Sequence, residues 1–158
     1  MGWENMEDNL GNGFMVKPSS EALQEEVHRR LREYNRPFFR DQEDFSFHVE
    51  RDGQIVAGIV AGSTYQTLEV EFLFVDEAYR GRGLGSLLLR TAEERARDAG
   101  IRHVLLNTYS FQAPGFYPKE GYTELFRIDN CLGPHSQHFF WKDLKEPGDP
   151  AGSQDKQA

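Results

Sequence analysis

Hydrophobic residues recur along this chain with two different periods, one typical of helices and the other of strands. Apolar side chains return every three or four residues between Ser20 and Asn35, so this stretch predicts a first helix that Ser20 can cap and Pro37 ends. A second helical pattern starts near Gly83 and keeps leucines and alanines on one side until Gly100. The pattern therefore predicts one amphipathic helix near the N-terminus and another in the middle of the chain.

Elsewhere apolar and polar residues alternate, as they do in half-buried strands. Asp52 and Gly53 form a hairpin signal between the first two of these stretches. The predicted strands are residues 45–49, 54–62, 68–75, 103–108, 122–128 and 138–144, and a short helix or turn is predicted at residues 113–120. Strands 68–75 and 103–108 flank a helix, so they should be parallel with a right-handed crossover, and the other strands should be antiparallel. This order predicts a mixed α/β fold.

The length of 158 residues fits one domain. Residues 1–13 are polar and contain glycine, which predicts a flexible N-terminal tail. Residues 146–158 are rich in proline, glycine and polar side chains, which predicts a disordered C-terminal tail. The working domain is therefore expected at residues 14–145.

The charge balance limits the partners. A net charge of -8 argues against a nucleic-acid partner, which would require a basic face, and against docking on an anionic membrane. No apolar stretch approaches the roughly 18 residues that span a bilayer. Cys131 is the only cysteine, so an internal disulfide is impossible and a cytoplasmic, reducing location is the simpler expectation.

A glycine-rich turn, residues 80–85 (RGRGLG), lies between a predicted strand and a predicted helix. Its glycines allow close approach to a ligand and positive φ, and the helix start offers free N–H groups with a partial positive charge. These features together predict a phosphate site. A P-loop would need a lysine before Ser86, and a dinucleotide fingerprint would need a glycine at that position. The pattern Arg/Gln-x-x-Gly-x-Gly/Ala fits in full, at Arg80, Gly83 and Gly85.

Two segments carry a family resemblance. Residues 75–85 (VDEAYRGRGLG) resemble the acetyl-CoA signature of the GNAT superfamily of N-acetyltransferases, and residues 111–122 (FQAPGFYPKEGY) are similar to its A-x-x-F-Y-x-K-x-G-Y/F segment. The likeness covers about residues 14–145 and is nearest to small bacterial members. It implies a central, mostly antiparallel sheet that splays at two parallel strands, is flanked by helices and holds acetyl-CoA in the opening.

The resemblance also implies a set of cofactor contacts. Main-chain N–H groups at the helix start would hold the pyrophosphate, and main chain on the third strand would pair with the pantetheine arm. Asn107 matches a side chain that often contacts pantetheine, although an ordinary strand-end asparagine is an equal alternative. The expected cofactor-binding residues are Phe74, Val75, Arg80, Gly81, Arg82, Gly83, Leu84, Gly85, Ser86 and Asn107.

Acetyl transfer from a thioester to an amine needs a base and an acid but no covalent protein nucleophile. Tyr117 stands where the family places its acid, with simple packing beside Phe116 as the alternative. Glu69 and Glu71 are the candidate bases, and regular alternation puts both on one face of their strand, with Val70 and Phe72 on the other. The pair could instead bind a cationic substrate or simply face water. No histidine or cysteine spacing indicates a metal site.

The sequence leaves three classes of function open. The leading one is an acetyl-CoA-dependent N-acetyltransferase, the second an acyl-CoA-binding sensor without turnover, and the third an interaction domain. Tyr117 and the glutamates favour the enzyme. The amine acceptor stays open among polyamines, antibiotics, amino acids and proteins. Dimers are common among similar proteins, so a homodimer is a further expectation.

Overall fold

The computed structural model describes residues 14, 16–38 and 42–144. The chain divides into two compact units, residues 1–40 and 41–158. Helix α1, Glu21–Asn35, lies in the first unit, and the Oγ atom of Ser20 accepts a hydrogen bond from the N–H of Leu23 at 3.4 Å. This confirms the predicted cap. The two predicted tails, residues 1–13 and 146–158, lie outside the described residues.

The second unit is built on a six-stranded sheet with the order β1-β2-β3-β4-β6-β5. The strands are β1 Phe47–Arg51, β2 Gln54–Thr64, β3 Thr67–Val75, β4 His103–Tyr109, β5 Thr123–Leu132 and β6 His135–Asp143. The helices are a 3-10 turn at Glu77–Tyr79, α2 at Leu84–Asp98 and the short α3 at Phe116–Lys119. Among the strand pairs described, β3 with β4 is parallel and the others are antiparallel. The predicted mixed α/β class is thereby confirmed.

Helix α2 covers one face of the sheet. Its buried face includes Leu89, Ala92 and Ala96, none of which is exposed, because small alanines let the helix approach the strands closely. Leu68 and Val104, on the two parallel strands, are equally buried in the same core. Removing side chains of this size from water contributes about 1.5–3 kcal/mol each. The core therefore holds α2 against β1, β2 and β3.

The parallel pair separates halfway along β3. Register pairing with β4 ends at Val70, opposite Leu106. At the next residue, Glu71, β3 also bulges against β2, because Val70 pairs with Ala61 while Phe72 pairs with Val60. Glu71 thus has no register partner in either neighbouring strand, and the sheet opens from this position onward.

The bulge corrects one prediction. Phe72 is 66% exposed and does not share the buried face of Val70, as regular alternation required. A bulge adds one residue on one strand, so side chains after it change faces. Phe72 therefore lies on the exposed side of β3, with Glu69 and Glu71, while Leu73 is half-buried.

The last hairpin is longer than predicted. β5 continues to Leu132 instead of Ile128, and β6 begins at His135 instead of His138. Asn130 has a positive φ of 53°, as turn residues often do, but it lies within an irregular stretch of β5. The actual turn contains Gly133, whose φ is 59°.

Candidate active site

A cavity of about 790 Å³ occupies the opening of the sheet. One wall is β3 beyond the bulge, a second is the turn that leads into α2, and the third is the segment from the end of β4 to α3. Its lining residues are Glu71, Phe72, Leu73, Phe74, Val75, Tyr79, Arg80, Gly81, Gly83, Leu84, Gly85, Ser86, Asn107, Thr108, Phe111, Gln112, Ala113, Phe116 and Tyr117. Residues predicted for cofactor binding and residues predicted for catalysis therefore line one cavity.

The start of α2 is open to an anion. Gly83 is the N-cap, with φ 78° and ψ 9°, and it provides no side-chain cap. The first turn contains no acidic residue. The first main-chain hydrogen bond of α2 runs from the N–H of Leu87 to the carbonyl of Gly83, at 2.9 Å. The N–H groups of Leu84 to Ser86 thus have no acceptor within the helix, which suits a phosphate group.

The three glycines of the turn play different parts. Gly81 and Gly83 adopt positive φ, at 72° and 78°, and a Cβ on either would meet nothing within 4 Å. Gly85 does not adopt positive φ. A Cβ there would touch Phe116 at 3.6 Å and Val75 at 3.7 Å, which are ordinary contacts. The expectation of positive φ therefore holds for the first two glycines and is wrong for the third, which lies inside the helix.

Arginines surround this helix start. The Nε atom of Arg80 donates to the carbonyl of Val75 at 3.2 Å, and Nη2 of Arg82 donates to the carbonyl of Ala78 at 3.4 Å. The guanidinium of Arg82 also lies 5.3 Å from the ring centre of Tyr79. Neither arginine has a carboxylate partner among the described residues, so the charge of both is available to an anion. Arg80 lines the cavity, whereas the lining described does not include Arg82.

The two candidate bases are placed differently. Glu71 lines the cavity at the bulge, where the sheet opens. Glu69 lies two residues earlier, opposite Leu105 in the still-paired part of β3 and β4, and it is not among the lining residues described. Of the two glutamates, Glu71 therefore lies nearer to a molecule bound in the opening.

Tyr117 is buried under the third wall. It is 7% exposed, and its ring packs against Phe116, Tyr122 and Phe140 at centroid distances of 5.1, 5.8 and 5.5 Å. Its hydroxyl has no hydrogen-bond partner within the described part of the chain, although the residue lines the cavity. Burial raises the pKa of the Tyr117 phenol, because the phenolate loses hydration. The group therefore stays protonated at neutral pH and can act as a proton donor.

Two glutamines hydrogen-bond to residues at the end of β4, and the sequence pattern gave neither a role. Nε2 of Gln137 donates to Oδ1 of Asn107 at 2.8 Å, which orients that amide beside the cavity. Oε1 of Gln112 accepts from Oγ1 of Thr108 at 3.0 Å and from the N–H of Tyr109 at 2.9 Å. Gln137 lay outside the predicted strand, and extending the alternation of β6 toward His135 would have included it.

A polar network links α2 to α3 and β6. The hydroxyl of Ser86 donates to Oε1 of Glu120 at 2.5 Å, and Nε of Arg90 donates to Oε2 at 3.2 Å. Deeper in the unit, Glu93 is 3% exposed and accepts from the hydroxyl of Tyr122 at 2.7 Å and from Nζ of Lys142 at 2.6 Å. Burial and the Glu93 carboxylate raise the pKa of Tyr122 far above its ordinary value. The Tyr122 phenol is therefore a structural donor.

Metal-ligand clusters and membrane-spanning helices are both absent from the described residues. No group of three or more His, Cys, Asp or Glu side chains in these residues could hold a metal ion. No helix in the same residues is long and apolar enough to cross a bilayer.

The comparisons with known proteins identify the class. The Acetyltransferase (GNAT) family matches residues 14–122, and the chain belongs to this family. Blasticidin-S acetyltransferase of Streptomyces morookaense is 39% identical over 93 residues, covering 58% of this chain and 68% of that protein. The family match, this relative and the GNAT fold show that the chain is an acyltransferase.

Solved structures agree on the fold. A crystal structure of an acetyltransferase from Bacillus cereus is 34% identical, with a TM-score of 0.75, and covers 83% of this chain and 98% of that one. A Bacillus anthracis protein assigned as a streptothricin acetyltransferase was solved with acetyl coenzyme A. It is 18% identical with a TM-score of 0.57, covers 68% of this chain and 66% of that one, and shows a shared fold alone. Acetyl-CoA is the acyl donor used by the family.

Proposed function

We propose that the protein transfers the acetyl group of acetyl-CoA to a primary amine by direct attack, with no covalent acyl-enzyme. One observation carries the proposal: an uncapped helix start, a carboxylate and a buried phenol line the same cavity. The first suits a diphosphate, and the other two suit the proton transfers of aminolysis.

The donor would be held mostly by main chain. The N–H groups of Leu84, Gly85 and Ser86 would bind the diphosphate, with the guanidinium of Arg80 at the mouth. Beyond Val70, β3 has no register partner in β4, so that edge can pair with the amides of the pantetheine arm near Phe74. The same cavity reaches Glu71 and Tyr117, where the thioester would lie.

The reaction then needs a base at the amine and an acid at the leaving sulfur. Glu71 accepts a proton from the substrate ammonium, directly or through water, and the free nitrogen attacks the acetyl carbonyl carbon. The C–N bond forms, the C–S bond breaks, and the hydroxyl of Tyr117 donates its proton to the departing sulfur. The nitrogen releases its second proton to solvent, solvent returns a proton to Tyr117, and Glu71 gives its proton back to solvent. The products are the acetamide and free coenzyme A.

The acceptor proposed is a small, cationic amine. Glu69 and Glu71 share one exposed face of β3, and two carboxylates attract a protonated amine. The blasticidin-S acetyltransferase found among the similar proteins suggests blasticidin S as the first acceptor to test. Polyamines, amino acids and peptides complete the panel.

One assay tests the proposal. The protein is mixed with acetyl-CoA and each amine, thiol release is followed, and thermal unfolding is measured with and without coenzyme A. Thiol release with at least one amine, together with a higher Tm in coenzyme A, is the expected result. Absence of any Tm shift would contradict cofactor binding at this site. A Tm shift without thiol release across the panel would favour an acyl-CoA sensor.

We also propose an oligomeric state and a location for the protein. A homodimer would fit the edge strand β5, where Leu125, Phe126 and Ile128 are all exposed. Sedimentation velocity would test this. A reducing, cytoplasmic location fits the lone Cys131.

A further inference from the structure

Glu120 joins the two helices that carry the proposed site. It follows α3 directly, and its N–H donates to the carbonyl of Tyr117 at 3.0 Å. Its carboxylate is 9% exposed and accepts from Ser86 and Arg90, which lie one turn apart on α2. A single side chain therefore ties the first turn of α2 to the helix of Tyr117.

A second layer of contacts supports the same joint. The main-chain carbonyl of Glu120 accepts from Nζ of Lys142 at 2.9 Å, and this ammonium also pairs with Glu93. Ser86, Arg90 and Glu93 follow one another at spacings of four and three residues, so they lie along one face of α2. The face of α2 that meets α3 is therefore bonded at several points.

A buried carboxylate is costly unless it is hydrogen-bonded and paired, and Glu120 accepts from both Ser86 and Arg90. A buried carboxylate close to a diphosphate site opposes an anionic ligand, and Arg90 only partly offsets its charge. The hydroxyl of Ser86 is also directed at Glu120, so that hydroxyl is engaged by protein and not by ligand. These contacts fix the geometry between α2 and α3.

We propose that Glu120 is a positioning residue that sets the distance between the diphosphate amides of α2 and the hydroxyl of Tyr117. This inference rests on the proposed function, because it assigns to Tyr117 the protonation of the leaving sulfur. Glu120 is not among the cavity-lining residues described and acts through α3. A displacement of about 1 Å at a catalytic group can lower a rate about a hundredfold.

The test is a double-mutant cycle between Glu120→Ala and Tyr117→Phe, measured as kcat and as the Kd for coenzyme A. Glu120→Ala alone should lower kcat by about tenfold to a hundredfold while Kd changes less than about threefold. In the Tyr117→Phe background the same change should lower kcat less than about twofold, because the acid that Glu120 positions is already absent. Glu120→Gln should restore most of the rate, since its carbonyl oxygen still accepts from Ser86. Glu94→Ala, on an exposed position of α2, is the matched control and should change neither quantity.

Equal losses of kcat in both backgrounds would overturn the proposal while leaving the proposed function intact. An unchanged kcat in Tyr117→Phe alone would overturn the proposal and the role of Tyr117 as the acid, while acetyl transfer itself would stand. A readout without turnover is the hydrogen exchange of the Glu120 and Tyr122 amides, which donate to the carbonyl of Tyr117 at 3.0 and 3.1 Å. Exchange should be faster in Glu120→Ala, and unchanged rates would overturn the proposal. If that variant fails to fold, Arg90→Ala loosens the same joint from an exposed position and should give the same pattern at smaller size.

Discussion

Replacing Gly83 by alanine should separate cofactor binding from fold stability. Gly83 is the N-cap of α2 in a left-handed conformation, with φ 78° and ψ 9°, and a Cβ would meet nothing within 4 Å. The substitution is therefore strained by backbone conformation and not by a clash. A left-handed L-residue costs about 1–2 kcal/mol. In a chain of this size, about 1 kcal/mol lowers Tm by about 2–4 °C.

The strain relaxes by rotating the peptide groups that open α2, which are the groups proposed to hold the diphosphate. Losing one charge-assisted hydrogen bond costs about 1.5–3 kcal/mol. The Kd for coenzyme A should thus rise by at least about tenfold. Isothermal titration calorimetry measures this affinity, and thermal unfolding measures the stability.

Gly100 provides the matched control. It follows the other end of α2 with φ 86°, and a Cβ there also meets nothing within 4 Å. Gly100→Ala should cost similar stability and change Kd less than about twofold, because this end of α2 is not among the lining residues described. Equal Kd values for the two variants would show that the turn is not part of the coenzyme A site.

Three further outcomes follow from the site. Tyr117→Phe should lower kcat by about 10²–10⁴-fold and leave Kd for coenzyme A nearly unchanged. Tyr122→Phe should mainly lower Tm, because it removes a donor from the buried Glu93 carboxylate. Steady-state kinetics and thermal unfolding distinguish the two variants, and equal loss of kcat and affinity in Tyr117→Phe would indicate a packing role. Glu71→Gln should lower kcat/KM more than Glu69→Gln, because only Glu71 is among the cavity-lining residues described; the reverse order in the same assay would make Glu69 the base. The acid form of Tyr117 is present below its pKa and is lost as pH rises through it, and burial raises that pKa above the ordinary value of about 10. The alkaline loss of kcat should therefore lie above about pH 10 and vanish in Tyr117→Phe, and a kcat profile with the same limb in both proteins would contradict the assignment.

The order of elements could be predicted because it depends on local chemistry. Helix α2 begins after a glycine that tolerates positive φ and buries leucines and alanines at helical spacing. Ser20 caps α1, and Asp52-Gly53 turns the first hairpin, with both residues at positive φ. Each of these signals lies within a few residues of the feature it determines.

Other features depend on contacts between distant segments. The bulge at Glu71 arises from the register of β3 against β2, and the alternation of β3 alone predicts Phe72 on the wrong face. Glu120 and Ser86 are 34 residues apart, so their hydrogen bond follows from how α3 packs on α2. The glycine turn and Tyr117 occupy defined positions of recognisable motifs, whereas Glu120 occupies a variable position of one and Gln137 belongs to none.

A crystal structure of the complex with coenzyme A most directly tests whether the start of α2 holds the diphosphate. We expect diphosphate oxygens at about 3 Å from the N–H groups of Leu84 to Ser86, with the sulfur beside the hydroxyl of Tyr117. A diphosphate bound elsewhere, or a sulfur on the far side of the cavity from Tyr117, would contradict this expectation.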